Sequence, residues 1–361
     1  MSEVFSTTVL CSDCAEHRQD LEGTGHHVVD CRDDPALPGY CVLRFTRPTA
    51  WAAAPAQAAK AIVNIFETGA VRGDYGAVTL LPGDTGRLTF GRARTTLGSG
   101  NLHLLAQRYC GTVGARFAGR LRAWLPALAG RNAAADQALK LHNLLRATAD
   151  DPVMRDVQDA FFDEMDWDPA VRAATRLGIR SPLGITVVHD GWVHGSWPLL
   201  RDRTQAAGAL AQVGEHEWVQ RYVRMRREWL GTHPNALLRA TVYRMDAFQR
   251  LIEQDAWALP LPLVVRSEEI STASLAALPR NCHDGPEPGT RELAVRSPLL
   301  RGLDVRWLQL ALSDQGCDLR ADAIFGNVSA RFVRAFQRSH ELAETGVADA
   351  RVIERLLELD G

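Results

Sequence analysis

Between residues 83 and 89 the chain reads Gly83-Asp84-Thr85-Gly86-Arg87-Leu88-Thr89, and this stretch constrains the local fold more than any other. Gly83 and Gly86 permit backbone angles that a side chain would forbid, so Asp84 is expected in a tight, accessible bend. Upstream, Ile62, Val63, Ile65 and Phe66 form an apolar helical run that ends at Glu67. A carboxylate at a helix end and another in an open turn suit glycoside hydrolysis. In that reaction one acid protonates the leaving oxygen while a second carboxylate activates water or attacks the sugar. Arg87 is expected to keep a neighbouring carboxylate ionised as a base, and the apolar run to keep Glu67 protonated as an acid.

From Ala61 to Tyr109 the motifs follow one another in order: Phe66-Glu67, a short segment carrying Tyr75, the glycine-bounded turn with Thr89, then Gly98-Ser99-Gly100 before a helix. This order resembles the chitosanase family of inverting glycosidases, within the lysozyme-like superfamily. The resemblance implies a mainly α, two-lobed catalytic domain with a small β element. It also implies Glu67 as general acid, Asp84 as general base and Thr89 as the group that helps hold the attacking water. For inversion, the carboxyl groups would stand roughly 6.5–9.5 Å apart or more. Downstream, the segment Phe161 to Gly195 resembles the family's long central helix. Glu215 and Arg226 fall where the family places a charged network supporting the base.

One departure bears on substrate. Where these chitosanases carry an acid after the Gly-x-Gly run to bind a glucosamine ammonium, this chain has Asn101. An amide hydrogen-bonds an N-acetyl or hydroxyl group but does not neutralise a buried cation, so the sequence argues against free chitosan unless Glu164 or Asp166 supplies the charge.

The tail has a separate signature. Val305, Leu308 and Leu312 keep helical spacing, a turn runs from Asp322 to Gly326, and a second amphipathic helix carries Val333 and Phe336. This resembles the peptidoglycan-binding domain, a three-helix module, with Ala323 where a glycine is usual. The implied organisation is a Cys-rich segment over residues 1–50, a lysozyme-like domain over 51–278, a Pro- and Gly-rich linker over 279–296 and the module over 297–361. Within the catalytic region the pattern predicts helices over 118–128, 136–149 and 217–230, and residues 40–45 form a short β-like stretch.

A net charge of −2 over 361 residues supplies no basic field for nucleic acid. No apolar run approaches the roughly 20 residues of a membrane span, and the first residues lack a basic start followed by an apolar core. A protein made in the cytoplasm that acts on the wall or in the periplasm would then need specialised export through a secretion apparatus. An antibacterial effector would also have an immunity protein, and release during phage lysis is a further route. Cys11, Cys14, Cys31 and Cys41 could hold a structural zinc with His17, His26 or His27, form two disulfides, or remain free thiols. Trp167, Trp192, Trp197 and Trp257 are read mainly as core.

These features together imply a peptidoglycan hydrolase of the lysozyme or muramidase type. It would cut β-1,4 bonds by inversion, need no cofactor for catalysis and take peptidoglycan glycan strands as its partner. A chitosanase anchored to the wall is the alternative, and a non-catalytic wall-binding protein the second.

Overall fold

The computed structural model describes residues 4–23, 27–35, 38–46, 53–81, 83–92 and 94–360. They fall into two compact units, residues 1–72 with 163–277 and residues 73–162 with 278–361. Most of the described chain is helical, with three small antiparallel sheets.

The first unit begins with a sheet in which Tyr40–Thr46 lies between Val4–Leu10 and His27–Asp33, antiparallel to both. Only its central strand was legible in the sequence. Disulfides join Cys11 to Cys41 and Cys14 to Cys31. The helix Ala53–Thr68 follows, burying Ala58, Ala59, Ile62, Val63, Ile65 and Phe66. So many buried positions demand apolar neighbours on more than one side, and the helix Pro182–Val193 supplies Leu183, Ile185, Val187 and Val188. Ser181 caps that helix by accepting from the Gly184 N–H, and Pro182 fits its first position, where no amide hydrogen is needed. Helices Glu215–Thr232 and Tyr243–Glu253 complete the packing around it.

Three helix expectations need correction: residues 136–149 divide at Ala138, between Ala134–Gln137 and Leu139–Thr148. Residues 161–195 do not form one long helix. Pro152–Phe162 runs into a π turn, Asp163–Trp167, then Asp168–Leu177, which stops at Gly178 in the left-handed region (φ 102°) before the separate helix Pro182–Val193. Pro169 has no N–H for the carbonyl four residues earlier, which accounts for the widened turn in front of it. Residues 118–128 likewise split into Ala118–Arg122 and Leu125–Ala129, because Pro126 sits in the first turn of a new helix.

In the second unit three two-residue strands, Val78–Thr79, Thr89–Phe90 and Thr95–Thr96, form the small β element. Beneath them Leu88, Phe90 and Leu97 pack with Leu102, Leu105, Tyr109, Leu141, Leu145, Met154 and Phe161. Leu310, from the tail helix Leu303–Asp314, enters the same core. That helix also packs with Asn327–Ser339 and Ala350–Asp360, burying Val305, Leu308, Leu312, Val333, Phe336 and Ile353 as a core of its own. Ala323 adopts φ 63°, a left-handed conformation that explains why glycine suits this position.

The tail module is joined to the rest of this unit by buried polar contacts. Asn143 donates to the Leu319 carbonyl (2.8 Å) and Ser313, and accepts from the Ala321 N–H (2.9 Å). Arg306 Nε lies 2.8 Å from Asp150, both being buried. The stretch expected to be a linker is itself tied down: the His283 N–H donates to Asp150, Arg155 pairs with Asp284 at 2.8 Å, and Cys282 is buried with Tyr75 and Ala149.

Burial, outweighing Arg306, pushes the Asp150 carboxyl up to about 7 from 3.8. A folded value above the unfolded one means that the proton favours the folded state. This contribution is complete below about pH 4 and is lost as pH rises through about 7. The protein should therefore melt a few degrees higher near pH 5.5 than near pH 8, and Asp150→Asn should flatten that difference in calorimetry. An unchanged pH slope in the variant would show that another group is responsible.

Candidate active site

Glu67 lies in the last turn of the helix Ala53–Thr68, in the first unit. The apolar residues before it face the core, while its own carboxylate is a quarter exposed and accepts from Arg244 Nη2 at 2.7 Å. The expected apolar setting is thus absent at the carboxyl group itself. Arg244, on the helix Tyr243–Glu253, uses its other nitrogen to donate to Asp190 Oδ1 at 2.8 Å, and Arg226 donates to Asp190 Oδ2. Asp190 and Arg226 have fully buried side chains. Burial opposes the charge on Asp190, but Arg226 and then Arg244 outweigh it and hold the carboxyl below the usual carboxylate range. Arg244 in turn is raised despite its burial, because Asp190 and Glu67 both stabilise its charge. The backbone at Glu67 is positioned too: Tyr243 Oη donates to the Phe66 carbonyl at 2.9 Å, and the Phe66 ring meets Tyr243 and Phe248 edge-on.

Asp84 lies in the second unit and is exposed, as expected. Its Oδ1 accepts from the Gly86 N–H at 2.9 Å, and its carbonyl accepts from the Arg87 N–H. Gly83 has φ 79°, and a Cβ on Gly98 would stand 2.3 Å from the Thr85 carbonyl, so the turn closes only with glycine at these positions. Arg87 does not act on Asp84. It points to Asp136 with Nε at 2.8 Å and Nη2 at 2.6 Å, and to the Arg131 carbonyl, while Asp136 also accepts from the Leu88 N–H. Its role is to lock the turn to the 131–136 segment. Thr89, buried in the strand Thr89–Phe90, donates to the Arg87 carbonyl at 3.1 Å.

The remaining expected residues separate. Asn101 begins the helix Asn101–Gly111 and is half-exposed. Glu215 and Arg226 do not share a network: Glu215 accepts from the Arg180 and Ser181 N–H groups, fixing the entry of the next helix, and Arg226 serves Asp190 on the Glu67 side. Tyr75 is buried and donates to Asp159 at 2.6 Å, with Arg92 on the same carboxylate. Trp167, Trp197 and Trp257 are buried, whereas Trp192 is 36% exposed. Cys11, Asp33 and Cys41 cluster within 4.8 Å of one another. The disulfides occupy all four early cysteines, however, and a sulfur so bonded offers no thiolate to zinc. Of the spare histidines, His17 Nδ1 contacts the Asp13 carbonyl, His26 lies outside the described residues, and so does the side chain of His27. Sequence reasoning missed Asp190, Arg244 and Asp136. The signal for Asp190 was a lone acid in the otherwise apolar Pro182–Val193 helix.

The first unit thus carries a carboxylate held by buried arginines, and the second a carboxylate in a glycine-closed turn. Residues 61–263 match glycosyl hydrolase family 46, to which the chain belongs, and residues 301–356 match the putative peptidoglycan binding domain. A chitosanase of Bacillus subtilis (strain 168) is 26% identical over 232 residues, 58% of this chain and 81% of that protein. A mutant chitosanase of Bacillus subtilis MY002, complexed with 6 GlcN, shares the fold with a TM-score of 0.50 at 24% identity, over 60% of this chain and 96% of that one. A Gynuella sunshinyii family-46 chitosanase in complex with chitotetraose is 26% identical with a TM-score of 0.48, over 60% of this chain and 97% of that one.

Asp190→Asn should leave two buried guanidinium groups short of a counter-charge, costing about 3–5 kcal/mol and loosening Arg244 from its place on Glu67. Because the folded value of Asp190 lies below the unfolded 3.8, its stabilisation is present above that value and is lost as pH falls further. Denaturant unfolding of both proteins should show a gap at neutral pH that narrows in acid. Equal stability at neutral pH would contradict the network's assigned weight.

Proposed function

We propose that this family-46 hydrolase acts as a chitosanase, cutting β-1,4 bonds of a glucosamine-containing glycan with inversion. Glu67 protonates the bridging oxygen, Asp84 removes a proton from water, and Thr89, whose oxygen keeps lone pairs free of its bond to Arg87, receives an O–H of that water. The observation that carries this reading is the family match across residues 61–263, which contains both carboxylates in the order expected of them. The relatives described above are chitosanases, and this favours the chitosanase reading over the muramidase one expected from sequence.

Asn101 supports a second reading, in which N-acetylated wall glycan is the better substrate. Its amide can pair with an acetamido group but supplies no charge for an ammonium. The match of residues 301–356 to a peptidoglycan binding domain points to the same polymer. The two disulfides suit an oxidising destination, in keeping with action at the wall after export.

Glu67→Gln keeps the side chain's size and its capacity to accept from Arg244 but removes the acid. Turnover should fall by at least about a hundredfold with folding intact, the scale of a lost general acid. Mass spectrometry of products from chitosan and from purified peptidoglycan decides between substrates, and near-normal turnover in the variant on the preferred polymer would remove Glu67 from the acid role.

Asn101→Asp should raise the ratio of kcat/KM on chitosan to that on acetylated glycan by about tenfold, the effect of one added charge contact. A ratio that does not change would show that this position does not read the amino group.

A further inference from the structure

An open pocket of ≈ 330 Å³ lies within the second unit, where the tail module meets the catalytic segment. Trp124, Leu139 and Lys140 line it from one side, and Ser313, Cys317 and Asp318 from the other. Its volume is at the lower end of the roughly 300–1,000 Å³ common among small-molecule sites, enough for a short saccharide segment. Trp124 and Leu139 are half-buried and present apolar surface, while Lys140 and Asp318 are exposed and bring opposite charges to the rim. Lys140 gives one hydrogen to the Asp314 carbonyl at 3.0 Å, leaving two for a ligand. An indole with polar groups around it suits a pyranose ring, which is apolar on its C–H face and polar at its edge.

Two further observations favour a glycan as the occupant. The walls come from segments matched by two different carbohydrate-handling families on one chain. The pocket is also preformed, since Asn143 and the Arg306–Asp150 pair hold the walls together. The wall residues Leu139 and Lys140 follow closely on Asp136, the clamp of Arg87 in the Asp84 turn. We propose that this seam pocket is an accessory glycan subsite, built jointly by the module and the catalytic segment, that holds the polymer in fixed register with the Asp84 turn. It is a site of the whole chain and not of the module alone. Its place in catalysis rests on the role proposed for the Asp84 turn and is independent of which group is the acid.

Cys317 serves as a reporter, because it lines the pocket and is partly accessible, whereas the other free cysteines, Cys110 and Cys282, are buried. Full-length Glu67→Gln protein is treated with N-ethylmaleimide at about pH 8, where some thiolate forms. Labelling is followed peptide by peptide with no glycan, with glucosamine hexamer, or with a disaccharide-peptide fragment of peptidoglycan. One of the two glycans should slow Cys317 labelling at least threefold and leave Cys110 and Cys282 unaffected, and which one does so names the polymer. Trp124→Ala should abolish the protection, and Trp124→Phe should restore most of it. Unprotected Cys317 with both glycans at millimolar concentration, or protection that survives Trp124→Ala, would overturn the proposal; should the alanine variant not fold, protection in the parent and the Phe variant decides. Shortening of the hexamer, visible in the same spectra, would count against the role of Glu67 and not against the pocket.

Discussion

The Glu67 lobe is organised around one buried carboxylate. Asp190 has no access to water, and a charge so placed is tolerable only because Arg226 and Arg244 approach it from two other helices. Three helices are thereby committed to one arrangement, since separating any of them strands a charge in an apolar interior. A buried ion pair is weak evidence for net stability, because the cost of removing its members from water offsets most of their attraction. Its value here is positional. Arg244 has one nitrogen fixed on Asp190, so the other presents to Glu67 at a set place, and the helix end carrying Glu67 is fixed again by Tyr243 at the Phe66 carbonyl.

The Asp84 turn is held by different means. Among the described residues no buried charge pairs with Asp84. The backbone is confined by glycines at 83, 86 and 98, and the whole turn is fastened through Arg87 to Asp136. Asp84 itself remains exposed with an oxygen committed to the Gly86 N–H. The base role proposed for Asp84 would benefit from that openness, because its approach is unobstructed while its orientation is preset. Rigid support from beneath and access from above are compatible in a short glycine-closed bend in a way that they are not in a helix interior.

Legibility in the sequence followed the range of the interaction. The turn at 83–89, the helix ending at Glu67 and the tail helices could be read because their determinants lie within a few residues of each other: glycine spacing, apolar periodicity, a proline at a helix start. Partners could not be read. Proximity in sequence pairs Arg87 with Asp84, three residues away, whereas its partner, Asp136, is distant in sequence. Glu215 and Arg226 lie within one helix, which suggests one network, yet they face different neighbours. The widened turn before Pro169 follows from the local chemistry of proline, and the break at Gly178 from a left-handed glycine, neither of which a resemblance to a continuous helix conveys.

The same distinction bears on the tail. Read as a sequence, residues 279–296 have a linker's composition and the module beyond them has its own core, which together suggest a tethered anchor that raises local concentration. The contacts describe something stiffer. Leu310 enters the core built by residues 88–161, and Asn143 satisfies polar atoms of the tail that would otherwise be buried without partners. Removing the module would therefore expose apolar surface, take both acceptors from the Asn143 amide nitrogen and take Arg306 from Asp150, so its loss would damage the unit that carries Asp84 as well as any attachment to polymer. A flexible tether tolerates many polymer geometries, whereas a module sharing its core with the unit that carries Asp84 admits few. On the proposed function, glycan held there would be presented to Asp84 in a restricted set of registers, and selectivity between polymers would arise at the module as well as at Asn101.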